Sequence, residues 1–307
     1  MGRLLERAGE PPLKFAVLGS GAMARFWAAR LALLNPWVVG QSPPPYRIVD
    51  GHDTRLIQPR HYHWHDAPDE PPDVVLLSIK WRRMPTAHDW IARHAPHSLV
   101  LCLMNGMGQE DVLADIPGIT LALGTTTAAA TRDDRSAPAI YVRSLGRTLL
   151  PSTKDPREAV LQHASLTSNW GWEWVQPHEM AALRWQKLIQ NSIINPLTAL
   201  ADCPNGALPE HPLWGAAPTL IEEAQQVARA MGIVVPEDML DRVATLLAAT
   251  SNNLSSTVQD VRSGLVTEVE AINGYIVRQA RQAGLTAPTH QALVTLLTAL
   301  PAHSDPL

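Results

Sequence analysis

The sequence predicts an α/β fold, with an N-terminal domain built on a parallel sheet and an all-α C-terminal domain after it. Two observations carry this. Between residue 14 and about residue 150, short continuous apolar runs alternate with helical stretches, and the first run leads through a glycine turn into a helix. From about residue 179 onward, apolar residues instead recur at threes and fours, the spacing of a helix face. The boundary is drawn at residue 178, giving domains 1–178 and 179–307.

Taken in order, Phe15-Ala16-Val17-Leu18 is the first strand, and residues 22–34 form the helix after the glycines. Trp37-Val38-Val39 and the runs 74–77, 99–103 and 119–123 are further strands. Runs apolar at every position suit strands covered on both faces, as a parallel sheet flanked by helices requires. Residues 140–142 and 147–150 read as late strands with antiparallel pairing, and the stretch 151–177, with Trp170, Trp172 and Trp174, closes the first domain. In the second half, residues 180–200, 214–231, 236–249 and 267–284 carry helical periodicity, punctuated by Pro196, Pro204, Pro209, Pro212, Gly206 and Gly284.

Bulk properties narrow the function. The chain has 307 residues, 46% of them hydrophobic and 18% charged, with a formal net charge of −4. Such a balance gives no electrostatic drive toward nucleic acid or an anionic membrane, so neither is expected as a partner. Two cysteines, Cys102 and Cys203, form no disulfide framework and point to a reducing compartment. Residues 1–12 mix charges among leucines and lack the apolar core of a signal peptide, and no run is long enough to span a bilayer. A cytoplasmic location is expected.

The first chemical signal is Gly19-Ser20-Gly21-Ala22-Met23-Ala24, a G-x-G-x-x-A turn that follows a strand and opens a helix. Gly19 permits the tight turn, Gly21 lets backbone approach a pyrophosphate, and Ala24 allows close helix–strand packing. The helix N-terminus supplies amide donors and a positive partial charge. A chance glycine pair is the bland alternative, but the strand, the helix and the parallel-sheet pattern around it favour a Rossmann-type nicotinamide site. Enzymes that take NAD place an acid about 20 residues past the glycines. Val39-Gly40-Gln41-Ser42-Pro43 holds none, which leans toward NADP(H), with Ser42 or Arg47 as phosphate contacts; NAD(H) stays open.

The second signal is on the helix 180–200. Lys187, Asn191 and Asn195 are four apart and share a face among Leu188, Ile189, Ile193, Ile194 and Leu197. A solvated stripe is the bland account. Against it, asparagine is a poor helix former, two stand in consecutive turns, and Pro196 follows the second. A further polar cluster, Asn252-Asn253-Leu254-Ser255-Ser256, precedes Glu268 and is suited to the other wall of a pocket.

Together these motifs resemble the ketopantoate reductase family. The likeness rests on Lys187-Leu188-Ile189-Gln190-Asn191-Ser192-Ile193-Ile194-Asn195-Pro196-Leu197-Thr198-Ala199-Leu200, on Cys203-Pro204-Asn205-Gly206 and on Met104-Asn105-Gly106-Met107-Gly108. Gly124-Thr125-Thr126-Thr127 and the stretch from Ser255-Ser256 through Gln259-Asp260 to Glu268 fit in the same order, and the similarity runs from about residue 14 to residue 300. The resemblance implies NADPH-dependent reduction of ketopantoate to (R)-pantoate, in pantothenate and coenzyme A biosynthesis, with the substrate in a cleft between the two domains. It implies Lys187 as general acid and Glu268 as the carboxylate that holds the substrate. Asn105, Asn191, Asn195, Asn205, Asn253 and Ser256 become substrate contacts, and Lys80 with Asn105 joins residues 19–24 on the cofactor side. Chemistry agrees: hydride arriving at a keto carbon leaves charge on oxygen, which a cationic lysine stabilises and protonates. A homodimer is allowed for.

Two other readings are weighed. The same machinery serves a different branched 2-keto acid if Glu268 has no substrate hydroxyl to bind, and a dinucleotide sensor without turnover would have no use for Lys187 with Glu268. His61, His63 and His65 alternate and would line one face as zinc ligands, but a polar edge strand or loop is the favoured account, and no metal is expected.

Overall fold

The structure is a computed structural model that describes residues 13–133, 138–168 and 170–301. The stretch 1–12, read above as lacking a signal peptide, lies outside the described residues. The chain divides into two compact units: residues 1–104 with 109–180, and residues 105–108 with 181–307.

In the first unit, apolar runs become strands wherever both faces are covered. β1 (Phe15–Leu18), β2 (Trp37–Val39), β5 (His61–Tyr62), β6 (Val74–Leu77), β7 (Leu99–Cys102) and β8 (Thr120–Leu123) form one six-stranded sheet. Its order is β5-β2-β1-β6-β7-β8, and every pairing is parallel. That order is the doubly wound, Rossmann-type arrangement, with the chain reversing its direction of travel across the sheet at β1. β1, β6 and β7 are buried along their whole length, which is why they carry no polar alternation. The helices α1 (Ala22–Arg30) and α2 (Met84–His94) carry buried side chains into two clusters of the unit's core. α1 is shorter than expected: it stops at Arg30, and a 3-10 turn, Ala32–Leu34, continues it to Asn35 in the left-handed region.

Two smaller sheets complete this unit. β3 (Tyr46–Asp50), β4 (Asp53–Ile57), β10 (Ala129–Asp133) and β11 (Ala139–Ser144) pair in the order β10-β11-β3-β4. β9 (Thr125–Thr126), β12 (Thr148–Pro151) and β13 (Trp172–Val175) form a third sheet. The late strands are mixed rather than antiparallel: β11 pairs parallel with β3, and β12 pairs parallel with β13. α3 (Gln109–Leu113) and α4 (Arg157–Ser168) are the remaining helices, and the tryptophans pack, with Trp170 and Trp172 in the core beside Trp27.

The second unit is helical: α5 (Pro177–Ala201), α6 (Ala217–Ala230), α7 (Met239–Ala249), α8 (Ser256–Arg262), α9 (Val269–Gln282) and α10 (Pro288–Thr298). Its core joins Trp185, Leu188, Ile189 and Ile193 of α5 to apolar faces of α6, α7 and α9. Pro177 opens α5, where its missing N–H costs nothing, and the Glu179 carboxylate accepts from the Gln176 N–H at 3.1 Å. No helix among the described residues is long and apolar enough to cross a membrane.

Candidate active site

The candidate cofactor site is the turn between β1 and α1. Gly19 has φ +122°, and a Cβ placed on it would collide with the Ser78 carbonyl oxygen, so both conformation and crowding demand glycine. Gly21 differs. Its φ is −76°, and a Cβ there would meet nothing within 4 Å. No local packing calls for glycine at that position, whereas a pyrophosphate lying against the backbone would; the residues fit a dinucleotide. Ser20 holds the turn to the loop after β2, its Oγ accepting from the Ser42 N–H at 3.3 Å.

Arg25, one residue past the motif, supports the turn from behind and was not singled out from the sequence. It is buried, its Nε donates to the Ser20 carbonyl at 2.8 Å, and its guanidinium lies 4.7 Å from the centroid of the Tyr46 ring. Burial pushes the Tyr46 phenol up to about 12, opposed by the Arg25 charge, so it stays protonated and donates a hydrogen bond to the Ser42 carbonyl at 2.7 Å. An arginine inside an otherwise apolar helix pattern was the available signal. Arg47, by contrast, is an exposed residue of β3. Lys80 is partly buried just past β6, two residues beyond the Ser78 that abuts Gly19.

A separate cluster of predicted residues lies in the helical unit. Lys187, Asn191 and Asn195 all lie on α5, with Asn195 only 6% exposed. Lys187 keeps part of its surface in solvent, yet its ammonium is deep enough that burial pushes its pKa down to about 8, opposed by the Glu268 carboxylate acting through space. Glu268 is buried at the residue before α9. The structure therefore brings the ammonium and the carboxylate within electrostatic reach.

Other predicted residues converge through the backbone. The Asn205 N–H donates to the Asn253 carbonyl at 2.9 Å, and the Gly206 N–H to the Ser251 carbonyl at 2.9 Å. Asn205 is buried, and its Nδ2 donates to Thr250 Oγ1 at 2.9 Å while its Oδ1 has no hydrogen-bond partner. Asn253 is exposed, and Ser256 is the partly buried first residue of α8. Its neighbour Ser255 is taken up structurally, capping α8 through the Val258 N–H at 3.2 Å and pairing with Thr198 Oγ1 of α5 at 2.8 Å. Asn105 lies in the turn 105–108, which docks on α9 through the Met107 N–H and the Ala271 carbonyl at 2.9 Å. His61 and Tyr62 form the edge strand of the large sheet.

Comparison with known proteins bears on this arrangement. The family model described as "Ketopantoate reductase PanE/ApbA" matches residues 15–154, and "Ketopantoate reductase PanE/ApbA C terminal" matches residues 179–301. A 2-dehydropantoate 2-reductase of Halobacterium salinarum is 33% identical over 228 residues, covering 73% of this chain and 75% of the relative. The chain belongs to the ketopantoate reductase family. A second family relative, the 2-dehydropantoate 2-reductase of Shigella flexneri, is 29% identical over 303 residues, covering 93% of this chain and 94% of its own. The fold extends further: the ternary structure of D-mandelate dehydrogenase with NADH and anilino(oxo)acetate superposes with a TM-score of 0.81 at 18% identity, covering 94% of this chain and 98% of the other.

Proposed function

We propose that this family member reduces ketopantoate to (R)-pantoate with NADPH, in the cytoplasm, as a step of pantothenate and coenzyme A biosynthesis. The observation that carries the reading is Lys187: an ammonium whose pKa is lowered to about 8 by burial, with the Glu268 carboxylate opposing. An ordinary lysine at 10.5 is a sluggish acid at neutral pH, whereas one near 8 stays mostly protonated and yet gives up its proton readily.

A nicotinamide dinucleotide held at residues 19–24, with Lys80 and Asn105 beside it, would supply the hydride. The chain's own residues do the rest. Asn191, Asn195, Asn205, Asn253 and Ser256 bind the keto acid through donors that bring no competing formal charge. As the C2 carbonyl gains the hydride, its oxygen acquires negative charge, and Lys187 Nζ first stabilises it and then hands over a proton. Glu268 accepts from the substrate's own hydroxyl, a bond that a plain branched keto acid cannot make. The orphan Asn205 Oδ1 is a second acceptor of this kind. The absence of an acid after β2 and the buried Arg25 cation behind Ser20 both support NADPH over NADH. In this reading residues 1–178 serve the cofactor and 179–307 the substrate; the compact units differ in placing residues 105–108 with the second. The reading allows for a homodimer.

The test is oxidation of NADPH with ketopantoate, repeated with NADH, with 2-ketoisovalerate and with the Lys187→Ala variant. Ketopantoate with NADPH should be the best pair, and Lys187→Ala should lower kcat by about 10²–10⁴-fold with little change in KM. A better rate on 2-ketoisovalerate would instead assign a different keto acid, and NADPH binding without any turnover would leave a sensor.

A further inference from the structure

α5 carries Lys187, Asn191 and Asn195 in three successive turns, and Pro196 stands inside it. Proline has no N–H, so the bond that residue 196 would give to the carbonyl four residues back cannot form. That carbonyl is Ser192's, on the turn that separates Asn191 from Asn195. Its donor comes from another helix: Asn273 Nδ2 of α9 reaches the Ser192 carbonyl at 2.8 Å.

The orientation of the Asn273 amide is set from behind. His290, fully buried on α10, places Nε2 3.0 Å from the Leu220 carbonyl and Nδ1 3.0 Å from Asn273 Nδ2. A carbonyl only accepts, so the His290 proton sits on Nε2, and Nδ1 must accept from Asn273. Burial lowers the His290 pKa and keeps the ring neutral, as this tautomer requires. Both hydrogens of Asn273 Nδ2 are thereby used, while its Oδ1 is buried with no partner. Turning the amide over would satisfy neither Ser192 nor His290. An apolar side chain would avoid the orphan oxygen, so what the asparagine contributes is its pair of donors.

We propose that Asn273 is a positioning residue: its side-chain amide replaces the helix bond that Pro196 denies to Ser192, and so fixes the turn between Asn191 and Asn195 to the helix that Glu268 precedes. Glu268 lies just before α9 and Asn273 within its second turn, so the tie runs directly between the element bearing the proton donor and the element bearing the carboxylate. It rests on the reading of Lys187 as proton donor, and His290 acts through Asn273.

The test is a cycle of Asn273→Leu, Pro196→Ala and the double variant, because alanine at 196 restores an N–H to the Ser192 carbonyl. The chain has only four lysines, so the Lys187 titration can be followed by NMR on lysine-labelled protein and assigned with Lys187→Met. In Asn273→Leu, loosening of α5 should admit water and move the Lys187 midpoint upward, toward 10.5, and kcat should fall by about tenfold or more, as small misplacements of reacting groups do. In the double variant both should return most of the way to wild type; this form also keeps the question answerable if Asn273→Leu alone does not fold. Equal effects of Asn273→Leu in both backgrounds would overturn the proposal, as would a lowered Tm with the Lys187 midpoint and the kcat both unmoved. If wild type turns over no keto acid, the functional reading fails while the lysine titration still judges the tie.

Discussion

Replacing Lys187 by methionine should make the protein more stable and nearly inactive. The ammonium's pKa of about 8 lies below its ordinary 10.5, so charging the lysine is harder in the folded chain than in the unfolded one. At about 1.4 kcal/mol per pH unit, the gap corresponds to about 3 kcal/mol at neutral pH, and the solvent-facing part of the side chain makes this an upper value. The attraction of Glu268 is already contained in it, since a neutral lysine and a methionine lack that attraction equally. Between about pH 8 and 10.5 the unfolded chain binds more protons than the folded one, so wild-type stability rises with pH across that window. The cost is fully present below about pH 8. Methionine removes it, and at about 2–4 °C per kcal/mol the variant's Tm at pH 7 should rise by several degrees. At pH 10 the advantage should shrink to less than about 1 kcal/mol. Thermal unfolding at both pH values, beside turnover with ketopantoate and NADPH, measures this. A variant less stable than wild type at pH 7, or one with the same advantage at pH 10, would refute the account of Lys187 as a buried, reluctant cation.

Three further outcomes are expected. If Lys187 is the acid, as proposed, the wild-type kcat/KM should be level below about pH 7, reach half near pH 8 and fall about tenfold per pH unit above it; a level profile to pH 10 would remove Lys187 from that role. Gly19→Ala should lower the Tm, since its φ of +122° and the Ser78 carbonyl exclude a side chain, whereas Gly21→Ala should keep the wild-type Tm and weaken NADPH binding by about tenfold or more, an effect read by fluorescence titration. Asn205→Leu deletes an orphan buried acceptor worth about 1–3 kcal/mol along with one hydrogen bond to Thr250, so the Tm should hold while the KM for ketopantoate rises; an unchanged KM would take Asn205 out of the site.

Much of this was legible in one dimension because it is local. A strand apolar on both faces, a turn needing glycine and a helix beginning at once are all spelled within residues 15–30, and the runs at 74–77 and 99–102 repeat the first of these signals. The spacing of Lys187, Asn191 and Asn195 likewise puts three side chains on one face of a helix. What only the tertiary structure decided depends on partners distant in the chain. β4 is exposed along nearly its whole length and pairs as a strand only because β3 lies beside it, and β11 turns out parallel to β3 because of where the chain returns. Arg25 reads as an interruption of α1 until Ser20 and Tyr46 are seen around it. The pKa of Lys187 is a property of burial, which no spacing encodes, and Pro196 reads as a helix breaker until Asn273 supplies the missing bond. Sequence alone determines which groups share an element; the solvent each is denied, and the partner it finds on another element, are settled by packing.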